Sequence, residues 1–523
     1  MAESTITLTQ ALSDACLRRG DAAFLLQDER SMSFRELDQA ARRAAAGLAR
    51  MGLRRGDRIG LLSLNRIEWV VLFFGAMRLG VAVVAMSPRY RDSELAYMVR
   101  DSEVKAVATI GTHEGFDFLS MFDRLAPELP TLRQLILFDA ADPKLPAAPL
   151  RRIPYAELLR AEPAGADSAE PGDLAMVIYT SGTTGRPKGA GLTHASLLAS
   201  GRAQVEHMHL DERDMLPQPA PLNHVGGITI GIVAFLCCGG RVDLIAEFNA
   251  VQVLERIHRL RPSILWGVPT MMTLLLMKSQ GMDIDFSGVR IVFCGGSTVD
   301  DALLTQLEAR IPSARLMTMY GLSETSGGIV ITPWDASRQD LMTTIGKPIG
   351  NAEVRVTDLG SGAELPAGEV GELCFRGCGV VPGYVGAARD VSAFWPGGWL
   401  RTGDLGEVDA RGVITFRGRS KDMYIQGGFN VYPAEVETYI ARHPQVLLVA
   451  GIGVPDPVLG EIGRYYVIRK PGATVDEAEL RAWCAEGLAD YKVPRQFVFR
   501  DELPFTPAGK IHKASLRTEQ AAR

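Results

Sequence analysis

No CxxC pair, no excess of one charge and no membrane-length apolar run occur in this sequence. Its seven cysteines stand at 16, 237, 238, 294, 374, 378 and 484. An odd count without metal-type spacing, in a chain of 523 residues, argues against a disulfide framework. It reads as reduced core thiols in a cytoplasmic protein. Lys and Arg number 56 against 61 Asp and Glu, a net −5. That balance gives no global pull toward nucleic acid or an anionic membrane, though a local basic site is compatible with it. The opening MAESTITLTQALSDACLRRGD lacks a basic segment followed by an apolar one, so no secretory signal is expected. The longest uncharged apolar run, VGGITIGIVAFLCCGG, is short and glycine-rich for a membrane span and reads as a buried helix. The ending EQAAR carries no peroxisomal address. A Walker A loop is missing too. In TSGTTGRPKG the second glycine is not followed by Lys-Ser or Lys-Thr, which disfavours an ordinary P-loop NTPase.

What is present is an ordinary globular composition, 47% hydrophobic and 22% charged. The length allows roughly two to four domains. SFRELDQAARRAAAGLARMGL places Leu37, Ala41, Ala44, Leu48 and Met51 on one helical face, with Ser33 and Glu36 spaced as a capping box. RIGLLSL and VAVVAM read as buried strands, and EWVVLFFGAMRLG as a buried helix ending at Gly80. This alternation predicts an α/β architecture with parallel strands. AEPAGADSAEPGD (161–173) reads as a surface connector. Beyond residue 345, AEVRVTD, GELCFRG and GVITFRG predict a compact β unit, and the last hundred or so residues a small α+β domain.

YTSGTTGRPKG (179–189) is poor helix and poor strand. Its Thr180, Ser181, Thr183 and Thr184 hydroxyls, the backbone N–H groups of Gly182 and Gly185 and the Lys188 ammonium together suit a phosphate chain. On residue chemistry alone a plain solvated turn competes evenly. Further loops carry similar chemistry: MYGLSE (319–324), WLRTGDLG (399–406) with Asp404 in a glycine-flanked turn, GRSKDMYIQGGFNVYPAEVE (418–437), and LPFTPAGKIHK (503–513). Each alone has a bland reading as an ion pair, a hairpin or a solvated tail.

In this order, from about residue 30 to 515, these motifs resemble the adenylate-forming superfamily of acyl- and aryl-CoA synthetases, peptide-synthetase adenylation domains and beetle luciferases. The resemblance implies a large N-terminal domain (1–418) of α/β layers plus a β unit, a hinge (419–421) at Lys421, and a small mobile α+β C-terminal domain (422–523). It implies two half-reactions, acyl-adenylate formation from ATP and then thioester formation, with ATP, Mg²⁺ and CoA. It assigns the 180–188 loop to phosphates, Glu324 to Mg²⁺, Tyr320 to adenine, Asp404 to the ribose hydroxyls, Arg419 to a second ribose or phosphate contact, and Lys510 to the carboxylate and α-phosphate. Gly428 matches the glycine beside the pantetheine channel, where a side chain would obstruct. Departures are Ser323 for the commoner threonine, CGGST (294–298) with Ser297 for alanine, and Phe505 where relatives often carry a basic residue.

PLNHVGG (221–227) matches the segment that brings a histidine, here His224, to the acyl pocket, although a lone histidine in an apolar context is more often structural. Gly227, Gly295, Gly296 and Trp266 join it on the substrate side, and LWGVPTMMTLLL supplies an apolar wall with Val268, Met271 and Met272. An apolar acid fits such a wall better than an amino acid or acetate; medium- or long-chain fatty acids and aryl acids both stay open. The alternative is an adenylation enzyme loading a carrier protein, disfavoured because no carrier module follows Lys510. A non-catalytic nucleotide sensor is disfavoured because Lys510, Glu324 and the phosphate loop are all present. No nucleic-acid partner and no transmembrane segment are expected, and a homodimer is compatible with the chain.

Overall fold

The structure is a computed structural model that describes residues 5–139, 148–163, 165, 167–180, 187–296, 299, 301–386, 391–505 and 511–521. The alternating segments of the first two hundred residues build most of a sheet that has eight strands among the described residues. Its order is Tyr384–Val385, Lys188–Thr193, Leu174–Thr180, Ala82–Met86, Arg58–Leu62, Ala106–Thr109, Gln134–Leu137 and Arg151–Pro154. From Leu174–Thr180 onward all neighbours are parallel. The first two strands run antiparallel to their neighbours. Ala82–Met86 is buried at every residue, as a parallel strand covered on both faces must be.

The expected capping box forms at the helix Phe34–Arg50. Glu36 N–H donates to Ser33 Oγ at 3.2 Å, and Ser33 N–H donates to Glu36 Oε2 at 2.7 Å. The buried face of this helix packs on Ile67–Arg78, where a Cβ on Gly75 would lie 2.6 Å from that of Ala44. The apolar run 225–240 is a buried helix as expected, but its first part, Gly226–Ala234, is wound as a π-helix before the α-helix Phe235–Cys238.

Two further sheets complete the large domain's α/β layers. Ile264–Gly267, Ile291–Gly295 and Arg315–Leu322 run parallel and are extended by antiparallel Gly327–Ile331 and Lys347–Pro348. Met215–Gln218, Arg241–Leu244 and Ala23–Gln27 form a smaller parallel set with antiparallel Arg30–Ser33. The β unit holds Glu353–Thr357, Gly371–Arg376 and Ile414–Arg419, as expected, and also Trp399–Val408. Asp404 therefore lies on a strand and not in a turn. The flanking glycines are accommodated as an irregularity, with Gly403 at φ 68° and a register shift at Leu405/Gly406.

The C-terminal segment is α+β. Its sheet pairs Phe429–Val431, Tyr424–Gln426, Gly460–Arg469 and Val446–Asp456, with Gln496–Phe499 added in parallel. It has its own core of Val431, Val436, Ile440, Tyr465, Leu480 and Cys484. At the junction, Ser420 donates to Gly403 O from its N–H at 2.8 Å and from its hydroxyl at 3.0 Å. All seven cysteines are free thiols. Cys294, Cys374 and Cys484 are core residues as expected, whereas Cys16, Cys237, Cys238 and Cys378 are only half-buried. Among the described residues no helix is long and apolar enough to cross a membrane.

One buried charge in this frame is poorly compensated. Asp243 is wholly buried on Arg241–Leu244, neither carboxylate oxygen has a hydrogen-bond partner among the described residues, and Arg256 stands 3.7 Å away. Burial lifts its pKa from 3.8 to about 6, against the opposing pull of Arg256. A carboxyl with a raised folded-state pKa destabilises the fold once it ionises, so stability falls as pH rises from about 4 to about 6. Asp243→Asn removes that dependence. In urea unfolding across a pH series, the difference between variant and parent is expected to move in favour of the variant by ~1–3 kcal/mol between pH 4 and 7. A difference independent of pH would show that Asp243 is not the destabilising charge.

Candidate active site

The antiparallel pair Leu174–Thr180 and Lys188–Thr193 has Thr180 opposite Lys188, so the threonine-rich loop is a hairpin connection at the sheet's end. Sequence patterning missed that both ends of this loop are strand. Ser181, Gly182, Thr183, Thr184 and Gly185 lie outside the described residues. Lys188 is buried, with its ammonium 5.6 Å from the centre of the Tyr384 ring. Tyr384 sits on the next strand, opposite Ala190, and its hydroxyl donates to Glu324 Oε1 at 2.8 Å. Thr180 Oγ1 donates to the same oxygen at 3.3 Å. Glu324 stands on the 3₁₀ turn Ser323–Thr325, whose backbone is fixed by Val381 N–H donating to Glu324 O at 2.9 Å.

The described hydrogen bonds to the Glu324 carboxylate thus use one oxygen and orient the other. Among the described residues no group of three His, Cys, Asp or Glu could hold a metal by itself. A single oriented carboxylate beside hydroxyls suits Mg²⁺, which keeps waters and takes phosphate oxygens as its remaining ligands. Tyr384 was not foreseen from the sequence. Its PGYVG context is an ordinary turn signal, and only strand pairing brings it to Glu324.

Four residues before Glu324, Tyr320 begins a second constellation. Its hydroxyl donates to Asp404 Oδ2 at 2.7 Å, and Arg419 Nε donates to Asp404 Oδ1 at 2.8 Å. Asp404 and Arg419 face each other across neighbouring strands, which is why residues fifteen apart in sequence meet. Asp404 is buried, and its backbone N–H is held by Thr402 Oγ1 at 3.0 Å. The Tyr320 ring packs against Phe375 and Phe416 at centroid distances of 5.8 and 6.2 Å. Burial, then the Asp404 charge, pushes the Tyr320 phenol well above its ordinary value, so it stays a donor. The Asp404 charge likewise keeps Arg419 protonated. The result is an oriented carboxylate beside an aromatic face.

On the opposite side, His224 precedes the π-helix, and its Nδ1 accepts from Gly226 N–H at 3.2 Å. Space here is set by glycine. A Cβ on Gly227 would lie 1.9 Å from Pro221 O, and one on Gly226 would lie 2.6 Å from the Trp266 ring. Trp266 stacks on Phe293 at 5.8 Å and donates its indole N–H to Gln218 Oε1 at 2.9 Å. A Cβ on Gly295 would lie 2.8 Å from Met319 O, and Gly296 has φ 87°. Ser297 lies outside the described residues. The expected wall is partly reassigned. Met272 packs with Leu265, Leu275 and Phe286 in a separate cluster, because Leu265 and Trp266 are consecutive on a strand and point to opposite faces.

At the junction, Lys421 follows Arg419 and Ser420, and Arg517 bonds both Lys421 O at 3.3 Å and the Asp422 carboxylate at 2.7 Å. Burial and the neighbouring Arg419 lower the Lys421 pKa. Gly427 and Gly428 form a two-residue hairpin turn with φ of 60° and 88°. Among the described residues nothing lies within 4 Å of a Cβ on Gly428, and its left-handed backbone by itself calls for glycine. Lys510 lies outside the described residues.

Comparisons with known proteins agree with this geometry. The family model of the AMP-binding enzyme matches residues 12–385, and that of the AMP-binding enzyme C-terminal domain matches residues 435–510. The 3-[(3aS,4S,7aS)-7a-methyl-1,5-dioxo-octahydro-1H-inden-4-yl]propanoyl:CoA ligase of Rhodococcus jostii is 33% identical, over 99% of this chain and 100% of its own length. The long-chain-fatty-acid–CoA ligase of Yersinia pestis is 32% identical, over 98% and 94%. The crystal structure of the anthranilate CoA ligase AuaEII in complex with anthranoyl-AMP superposes with a TM-score of 0.89 at 27% identity, covering 99% of this chain and 98% of that one. The Glu324 corner, the buried Asp404 carboxylate and these matches together place the chain in the AMP-binding enzyme family of adenylate-forming acyl-CoA synthetases.

Proposed function

We propose that the chain activates an apolar, ring- or chain-bearing carboxylic acid as its adenylate and transfers the acyl group to CoA. The observation that carries this reading is the short segment 320–324, which presents Tyr320 to Asp404 and Glu324 to Thr180 and Tyr384. A nucleoside and its phosphates would lie along that segment. The substrate carboxylate oxygen attacks the α-phosphorus, pyrophosphate leaves, and a thiol then displaces AMP while losing its proton. In this assignment Asp404 takes the ribose hydroxyls and Tyr320 the adenine face, with Arg419 beside them. Ser297 borders the nucleotide, and Lys188 with the 181–185 loop neutralises the outgoing phosphates. Glu324 would hold Mg²⁺, which would supply charge neutralisation on those phosphates. Lys510 joins carboxylate and α-phosphate, and His224, Gly227, Trp266, Gly295 and Gly296 shape the acyl side. Such preorganised charge is what an anionic transition state requires.

The second half-reaction is assigned to rotation of residues 422–523 about Lys421, bringing Gly428 to the site. The separate core of that segment and its junction through Ser420 and Gly403 support this. The deciding assay offers ATP, Mg²⁺ and CoA with fatty, benzoic, cinnamic and alicyclic acids. A thioester identifies both the ligase and its acid. Adenylate and pyrophosphate without thioester would move the chain to carrier loading, and no AMP with any acid would overturn the reading.

Lys510→Ala is expected to lower adenylate formation by ~10²–10³-fold while sparing thioester formation from supplied acyl-adenylate; equal loss in both half-reactions would remove Lys510 from its assigned step. Gly428→Leu is expected to do the reverse, with ATP–pyrophosphate exchange retained and thioester yield cut tenfold or more, because a left-handed leucine is strained by about 1–2 kcal/mol and adds bulk. Tyr384→Phe removes the 2.8 Å bond that orients Glu324. A bond to a charged group contributes about 1.5–3 kcal/mol, so the Mg²⁺ concentration for half-maximal adenylation is expected to rise roughly tenfold with the KM for acid unchanged; an unchanged Mg²⁺ requirement would refute the orienting role.

A further inference from the structure

The three strands that meet at Glu324 have a second face, and one helix end holds it. Thr180, Lys188 and Tyr384 share one side of these strands, since Thr180 pairs with Lys188, and Tyr384 pairs with Ala190, two residues further on. Successive residues of a strand alternate, so Tyr179, Gly189 and Val385 share the other side. They too are in register, Tyr179 opposite Gly189 and Gly189 opposite Val385. A Cβ on Gly189 would lie 2.8 Å from Val385 Cγ2 and 3.3 Å from Tyr179 Cζ, so glycine leaves the room that the tyrosine ring takes.

Against that far face stands the end of the helix Asp92–Asp101, capped by Ser102. Tyr179 donates its hydroxyl to Asp101 Oδ2 at 2.7 Å, which leaves Ser102 Oγ to donate to the same phenol oxygen at 2.6 Å. Tyr97, one turn earlier on the helix, meets the Tyr179 ring edge-on with 5.9 Å between centroids, and its hydroxyl donates to Pro187 O at 3.0 Å. Asp101 also reaches the third strand, because a Cβ on Gly386, just past Tyr384–Val385, would lie 2.1 Å from Asp101 Oδ2. Residues 97–102 therefore touch all three strands from behind.

The points of contact matter more than their number. Tyr179 immediately precedes Thr180, which bonds Glu324, and Pro187 immediately precedes Lys188. Thr180 opposite Lys188 is the last pair of this ladder before the loop. Pro187 has no N–H with which to extend the ladder, so its carbonyl is the backbone group left to fix the chain entering Lys188. Tyr97 takes that carbonyl. A charge that neutralises a reacting phosphate works only where it is held, and a displacement of about 1 Å is costly to rate.

Resting on the ligase reading, we infer that Tyr97 and Tyr179, braced by Asp101 and Ser102, are positioning residues for the first half-reaction. From the far face they set where Lys188 and the Thr180–Glu324 contact stand against the phosphates of Mg²⁺–ATP. The acid and the thiol are served by other parts of the chain, so the two tyrosines are expected to act on one substrate only.

The test uses the full-length enzyme. It measures acid-dependent ATP–pyrophosphate exchange with whichever of octanoic, benzoic, cinnamic and cyclohexanepropanoic acids gives the fastest exchange, and separately thioester formation from that acid's adenylate and CoA. Tyr97→Phe keeps the ring and removes the bond to Pro187 O. Tyr179→Phe keeps its ring and removes both bonds to the helix end. Each is expected to raise the KM for Mg²⁺–ATP about two- to tenfold, with the KM for acid and the thioester step unchanged. Because the two rings touch, the double variant is expected to fall short of the product of the single effects. Arg100→Ala, on the same helix but bonded to Glu128 at 3.2 Å, is the control and should change none of these. An unchanged KM for Mg²⁺–ATP in both tyrosine variants overturns the inference. Equal losses in both half-reactions, or the same change in Arg100→Ala, overturn it too, because they mark a general loss of structure. No exchange by the parent with any acid overturns the ligase reading instead. Calorimetric titration of parent and Tyr97→Phe with Mg²⁺–ATP then decides the positioning role: weaker binding by the variant, about two- to tenfold, supports it, and equal affinity or no binding by the parent overturns it.

Discussion

The buried carboxylate of Asp404 is the contact on which the arrangement of this enzyme depends. It accepts from Tyr320, which belongs to the second parallel sheet, and from Arg419, which ends the β unit and leads into the C-terminal domain. One charged group therefore ties three parts of the chain at the nucleotide's assigned position. A buried carboxylate without donors is costly, as at Asp243, whereas both Asp404 oxygens have one. Arg419 also bears on the next element. Its charge, together with burial, lowers the Lys421 pKa, so the junction begins beside a fixed cation. The C-terminal segment is thus attached beside Asp404 and Arg419, the position proposed for the nucleotide.

Close backbone approach is the second constraint. Gly321 meets Gly327 so closely that a Cβ there would lie 2.1 Å from its carbonyl oxygen, and Gly227 approaches Pro221 similarly. These contacts bring the strand carrying Tyr320, the turn carrying Glu324 and the π-helix after His224 into one volume. The nucleotide side is built from charged and hydroxyl groups held by hydrogen bonds. The acyl side is built from glycine and the stacked pair Trp266 and Phe293. The two sides meet at 320–324, where the proposed reaction brings a carboxylate and a phosphate together.

Much of this was legible in the residues. The capping box at Ser33, the parallel strands, the β unit and the α+β C-terminal segment follow from periodicity and turn chemistry. The family followed from the order of its motifs. What escaped depended on pairing across long sequence distances. Asp404 reads as part of a turn because Gly403 and Gly406 flank it, yet its place on a strand is what sets it opposite Arg419. Tyr384 has no signal of its own and reaches Glu324 only by adding a strand beside Lys188–Thr193. Met272 reads as pocket wall because the pattern is apolar throughout, and only the alternation of Leu265 and Trp266 separates the two faces.

The π-helix Gly226–Ala234 shows a deeper limit. A segment buried on every side has no amphipathic period, so α and π winding share one sequence signature. The difference decides which polar atoms are used up by the helix itself. In an α-helix the Thr229 hydroxyl would have a carbonyl of its own turn within reach; in the wider coil it does not. The contacts of Asp404 are constrained by a charge that must stay paired, whereas the segment after His224 is constrained by close packing at Gly226 and Gly227. That asymmetry explains how one scaffold carries ligases for fused rings, fatty chains and anthranilate, as the relatives' names record, on a common adenylating centre.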